Sequence, residues 1–199
     1  MEKTEKLVYK PGVTLEGIYK AYSPRFGFLI TDDDHEDVYI GEDNHLNAVN
    51  NDKVEVKTIK GETGRHNTEG RITRVIERAN DTFVCTYEML KDGGEAVPID
   101  EKVDMVIEIP EGQEMEATTG ARVIVEVTEW PGKWTDAKGH VTEVIGYEGD
   151  KGLDIDIIIA QHRLPHVFSD ELMKEADALP REVVPENGVA DFRDLPIVT

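Results

Sequence analysis

The chain has one cysteine, Cys85, in 199 residues. It can form no internal disulfide and no multi-cysteine zinc site, and such usage fits a reducing cytoplasm. No apolar run approaches the ~20 residues that a membrane helix needs. The opening "MEKTEKLVYK" has no apolar stretch after its lysines, so it does not read as a secretory signal. Catalytic signatures are missing as well: there is no Gly-rich phosphate loop ending in Lys-Ser/Thr, no H-E-x-x-H and no G-x-S-x-G. Positive charge is scarce, with 22 Lys and Arg against 42 Asp and Glu for a net of −20. That balance counts against a polyanionic partner for the chain as a whole.

The deficit is uneven. Residues 1–80 hold 12 Lys/Arg and 15 Asp/Glu, a net of −3, while residues 81–199 hold 10 and 27, a net of −17. A phosphate backbone responds to the potential along its contact path rather than to the chain total. The first part could still offer Lys10, Lys20, Arg25, Lys53 and Lys57 to a polyanion, and the second is a poor place for phosphate contacts.

What the sequence has in abundance is short strands. "VTLEGIYKAY", "FGFLIT", "DVYI", "KVEVKTI" and "GRITRVI" follow one another, rich in β-branched and aromatic residues and bounded by turn residues. Five strands in about 65 residues suit a small closed barrel of OB type. The order then repeats as "DTFVCTYEML", "EAVPID", "DMVIEIP", "ARVIVEVTEW" and "GHVTEVIG", which indicates a tandem duplication. In "TFVCTYEML", Cys85 alternates with Phe83 and Tyr87 and reads as a small strand residue rather than a catalytic thiol.

After Gly146 the period changes. "GLDIDIIIAQHRLP" spaces Leu153, Ile157 and Ile158 as a helix would, and "SDELMKEADAL" is a second helix with Ser169 as its cap and acids in its first turn. The remainder, "PREVVPENGVADFRDLPIVT", reads as a linker, and an ending on "LPIVT" as a truncation. The predicted fold class is therefore mainly β: two tandem OB-type five-stranded barrels followed by a short helical connector. The expected organisation is an N-terminal extension at 1–11, barrels at 12–79 and 80–150, and the connector at 151–199.

No metal site is expected. The acidic loop "TDDDHED" at residues 31–37 lacks the central glycine and distant glutamate of a calcium loop and reads as a solvated turn. A proline between His162 and His166 interrupts the helical spacing of a zinc pair, and Trp130 and Trp134, flanking "PGK", read as strand-end packing. The stretch "SPRFGFLITDDDHEDVYI" is different. Phe26 and Phe28 share one face of a strand and Tyr39 can stand beside them, while Leu29 points the other way. The pattern fits either an exposed base-stacking face or the inside of a barrel.

"RFGFLI…DVYI" resembles the paired nucleic-acid-binding motifs of cold-shock domains. The ordered series, with "GRITRVIER", "VEVTEWP", "GHVTEVIG", "GLDIDIIIAQHRLP" and "DFRDLPIVT", resembles the N-terminal tandem cold-shock region of the ribonuclease R and ribonuclease II family, from about Gly12 to the end. The resemblance implies a parent 3′→5′ exoribonuclease with magnesium held by aspartates beyond Thr199 and with an S1 domain. No catalytic residue and no cofactor would then belong to this chain, and the expected partners are single-stranded RNA and the catalytic and S1 domains of the parent. It carries the RNA-binding role to Phe26, Phe28 and Tyr39, with Arg25 and Lys20 beside them. Pro24 and Arg25 stand where a Lys-Gly is typical, and Gly41 and Glu42 replace a His and a Phe. In the second unit the F-G-F position is expected at Glu95, Ala96 and Val97, with no aromatic platform, so that unit reads mainly as scaffold. A tandem-barrel protein-interaction module with little RNA binding is the alternative.

Overall fold

The computed structural model describes residues 7–31, 35–59, 68–132, 134–165 and 168–179. The acidic residues 32–34, His166 and the terminal stretch 180–199 lie outside them, so the readings placed there are not addressed. The chain divides into two units, 1–163 and 164–199.

The first unit contains both barrels. Alternation drives the first: in "KVEVKTI", Val54, Val56 and Thr58 turn inward and are almost fully buried, while Lys53 and Lys57 stay in water. Strands β1 (Thr14–Ser23), β2 (Phe26–Ile30), β3 (Val38–Gly41), β4 (Lys53–Ile59) and β5 (Glu69–Glu77) close in the order β1-β2-β3-β5-β4. All neighbours are antiparallel except β3 and β5, which run parallel. Leu29, Val38, Ile40, Val54 and Val56 fill the interior. Strands β6 (Thr82–Leu90), β7 (Gly93–Pro98), β8 (Ile107–Ile109), β9 (Ala121–Glu129) and β10 (Ala137–Tyr147) repeat the same closure, with β8 and β10 parallel. Closure removes the exposed strand edges that an open sheet would present to other chains.

A glycine–tyrosine pair fixes how the two copies superimpose. A Cβ on Gly27 would lie 2.5 Å from the ring of Tyr19, and one on Gly94 would lie 2.3 Å from the hydroxyl of Tyr87. Each tyrosine is buried beneath the bare backbone of its glycine. Gly27 thus corresponds to Gly94, and the counterpart of Phe26-Gly27-Phe28 is Gly93-Gly94-Glu95. The expected position, Glu95-Ala96-Val97, was two residues too far along. A shift of two keeps every side chain on its own face, so alternation alone could not reveal it. The absence of aromatics there stands.

The barrels meet at a polar joint. Arg78 donates to Asp52 Oδ2, Asn47 O and Asn47 Oδ1, each at 2.7 Å, and its guanidinium lies 3.5 Å from the ring centroid of Trp130. Asp52 is wholly buried and also accepts the backbone N–H groups of Val49 at 3.0 Å and Ala79 at 2.9 Å. Asn47 Nδ2 donates across to the Pro131 carbonyl at 2.8 Å. Burial lowers the Arg78 pKa and Asp52 opposes that shift; an arginine stays charged at any physiological pH.

Helix α1 (Leu153–Gln161) follows β10, and Arg163 just past it pairs with Asp81 at 3.6 Å. In the second unit, α2 (Asp170–Ala178) is capped as expected, Ser169 Oγ accepting from the Leu172 N–H at 3.4 Å. Among the described residues no helix is long and apolar enough to cross a membrane.

Candidate nucleic-acid interface

The burial of β2 resolves the two readings of its phenylalanines. Gly27 and Leu29 face the core, whereas Phe26, Phe28 and Ile30 face outward and are only partly covered. Phe28 stands directly opposite Tyr39 on β3 and opposite Lys20 on β1. Phe26, Phe28 and Tyr39 are therefore brought together. Ring centroids are 6.2 Å apart for Phe26 and Phe28, 5.6 Å for Phe28 and Tyr39, and 6.0 Å for Phe26 and Tyr39.

A fourth ring joins them. The β1–β2 register slips between Ala21 and Ser23, leaving Tyr22 as the extra residue of a bulge. Tyr22 is 62% exposed, stacks on Phe26 at 6.2 Å and 8°, and meets Phe28 edge-on at 5.5 Å. Phe26 and Phe28 share the centre of the group, each in contact with the other three rings. Such an outward, half-wet aromatic surface is the chemistry on which bases stack.

Cations border it. Lys20 is exposed and its Nζ donates to Asn51 Oδ1. Arg25 sits on the exposed β1–β2 turn, its backbone N–H donating to Ser23 Oγ at 3.2 Å. It makes no ring contact among the described residues. Arg71 on β5 was not singled out from the sequence; it is exposed and held by Asn44 Oδ1 at 2.7 Å. Beneath the face, burial and then the neighbouring Tyr39 push the Tyr19 phenol up to about 12. Tyr19 therefore stays neutral and acts as floor.

Other candidates do not assemble. Among the described residues no group of three or more His, Cys, Asp or Glu is placed to hold a metal. Cys85 is wholly buried and burial pushes its thiol up to about 12, which suits a packing residue. Trp130 packs edge-on against Phe83 at 6.1 Å and carries Arg78, but Trp134 is 87% exposed, so the strand-end packing expected of both tryptophans holds for Trp130 alone.

Two family models match the chain. The family described as "Ribonuclease B OB domain" matches residues 17–75, and "Cold shock domain" matches residues 96–169. Ribonuclease R of Acidithiobacillus ferrooxidans is 30% identical over 190 residues, covering 93% of this chain and 43% of that protein. Ribonuclease R of Escherichia coli is 29% identical over 187 residues, covering 93% and 23%. The chain thus spans less than half the length of these relatives. Among solved structures, Mycoplasma genitalium RNase R in complex with ribose-methylated single-stranded RNA superimposes with a TM-score of 0.68 at 17% identity, over 84% of this chain and 27% of that one. Yeast Ssd1, a pseudonuclease, superimposes with a TM-score of 0.63 at 16% identity, over 77% and 27%.

Proposed function

This chain carries the tandem OB and cold-shock region of the ribonuclease R family, and from that premise we propose that it binds single-stranded RNA on the first barrel and guides it to a catalytic region of the kind that family carries. One observation carries the reading: Tyr22, Phe26, Phe28 and Tyr39 gather on the outer face of β1–β3 while Leu29, Val38 and Ile40 fill the core on the inner side. The four rings offer bases a stacking surface, and Lys20, Arg25 and Arg71 can follow the backbone. The solved relative holding single-stranded RNA supports this choice of ligand.

Fluorescence titration of the 199-residue chain with a short oligouridylate at two salt concentrations tests the proposal. Binding is expected, with log affinity falling by about 0.7 per phosphate contact for each tenfold rise in salt. Phe28→Ala removes one of the two central rings and should weaken binding about 5- to 150-fold, the range equivalent to ~1–3 kcal/mol per stacked base. No binding at low salt would overturn the reading and favour a protein-interaction role.

A further inference from the structure

The second barrel repeats the register of the first, so positions on the aromatic face have counterparts there. Lys20 faces Phe28, and Phe28 faces Tyr39. In the second barrel Glu88 faces Glu95, and Glu95 faces Glu108. Three exposed carboxylates therefore stand in one row across β6, β7 and β8, with strands about 4.8 Å apart. Among the described residues none of the three has an ion-pair partner; Lys138, opposite Glu108, pairs instead with Glu129 at 3.8 Å. Like charges directly opposite one another weaken a sheet, so the row costs the fold stability.

The backbone points the same way. The counterpart of Phe26 is Gly93, whose φ is +112° and whose added Cβ would lie 2.4 Å from the Ile109 carbonyl oxygen. No ring can be carried there without strain. The bulge that supplies Tyr22 has no equivalent, because β6 and β7 pair without a slip.

From this pairing of charge and backbone we infer that the second barrel excludes RNA: the Glu88–Glu95–Glu108 row and Gly93 confine the strand to the first barrel. The inference rests on the RNA-binding reading of that barrel. A strand leaving the first face meets anions in the register where it would otherwise find a second platform, so the length of RNA engaged is that of one barrel.

The test is a length series of oligouridylates titrated against the full chain at low salt. One oligomer has about 8 nucleotides, within the roughly 4–16 that one OB fold occupies, and one has about 24. Glu88→Gln/Glu95→Gln/Glu108→Gln should raise affinity for the long oligomer about fivefold or more and leave the short one unchanged. Glu101→Gln/Glu111→Gln/Glu116→Gln removes as many exposed carboxylates elsewhere on the second barrel and should give no such gain. In a chain carrying Phe28→Ala, Glu88→Lys/Glu95→Phe/Glu108→Tyr should restore binding, with circular dichroism reporting the fold. Equal gains from the two glutamine triples, or an unchanged ratio of long to short affinity in the folded row variants, would overturn exclusion. Failure of the first-barrel reading is visible separately, as a short-oligomer affinity that Phe28→Ala does not alter.

Discussion

Asp52 is the residue whose loss should be felt furthest from its own position. Its carboxylate is wholly buried and receives three donors: the N–H groups of Val49 and Ala79 and the guanidinium of Arg78. Asp52→Ala leaves two backbone N–H groups without their acceptor, at about 1–3 kcal/mol each. The orphaned Arg78 adds less, because its side chain is 20% exposed and keeps Asn47 O and Oδ1 as acceptors. The total comes to about 3–5 kcal/mol, the range for breaking a buried pair from one side. Asp52→Asn retains an acceptor oxygen and should cost about 1–2 kcal/mol. Arg78→Ala uncovers Trp130 and leaves the carboxylate its two N–H groups, so about 2–4 kcal/mol is expected. Because both substitutions remove the same bond, the double variant should fall short of their sum by about 1–3 kcal/mol. Urea unfolding followed by circular dichroism and tryptophan fluorescence reads these values, with Trp130 reporting on the joint. A cost below ~1 kcal/mol for Asp52→Ala, or an additive cycle, would show that this charge pair does not hold the joint together.

Three further outcomes are expected. Burial holds the His45 pKa below its ordinary 6.5, against the opposing pull of Asp104, Glu42 and Asp43. The folded state therefore binds the proton less readily than the unfolded state, so the stability His45 contributes is complete above the unfolded pKa and is lost as pH falls through the folded one. Urea midpoints should fall more steeply with acidification for the natural chain than for His45→Gln, and parallel curves would refute the placement. Gly27→Ala and Gly94→Ala each drive a methyl into a buried tyrosine and should cost about 1–3 kcal/mol; in RNA titrations only Gly27→Ala should also weaken binding. Tyr22→Ala, at an exposed bulge, should change stability by less than about 0.5 kcal/mol yet reduce RNA affinity about fivefold or more. A melting temperature that drops with the affinity would mark Tyr22 as a packing residue instead.

The strand runs and their repetition were readable because a half-buried strand writes its period into the sequence. "KVEVKTI" alternates as β4 does, and each run in the second copy found its partner in the first. The outward phase of Phe26 and Phe28 could be stated only as one of two choices, since either phase of "FGFLI" offers apolar side chains. The inward pair Gly27 and Leu29 becomes core because the glycine gives Tyr19 room to lie beneath it. That is a contact between residues eight apart on different strands, invisible to a period of two.

The same contact explains what the sequence hid about the site. From Tyr19 to Gly27 the chain advances eight residues; from Tyr87 to Gly94 it advances seven. The extra residue is the bulge, and it is Tyr22. Alternation puts Tyr22 in phase with Lys20, but only cross-strand register places it against Phe26 and Phe28. Register also separates a diffuse acidity from a directed one. The net of −17 in residues 81–199 describes a region unfriendly to phosphate in general. The pairing of Glu88, Glu95 and Glu108 concentrates that charge on the face homologous to the aromatic one, at a cost to the sheet itself. The repeated topology presents one face twice, and the chain fills one with rings and a lysine and the other with carboxylates.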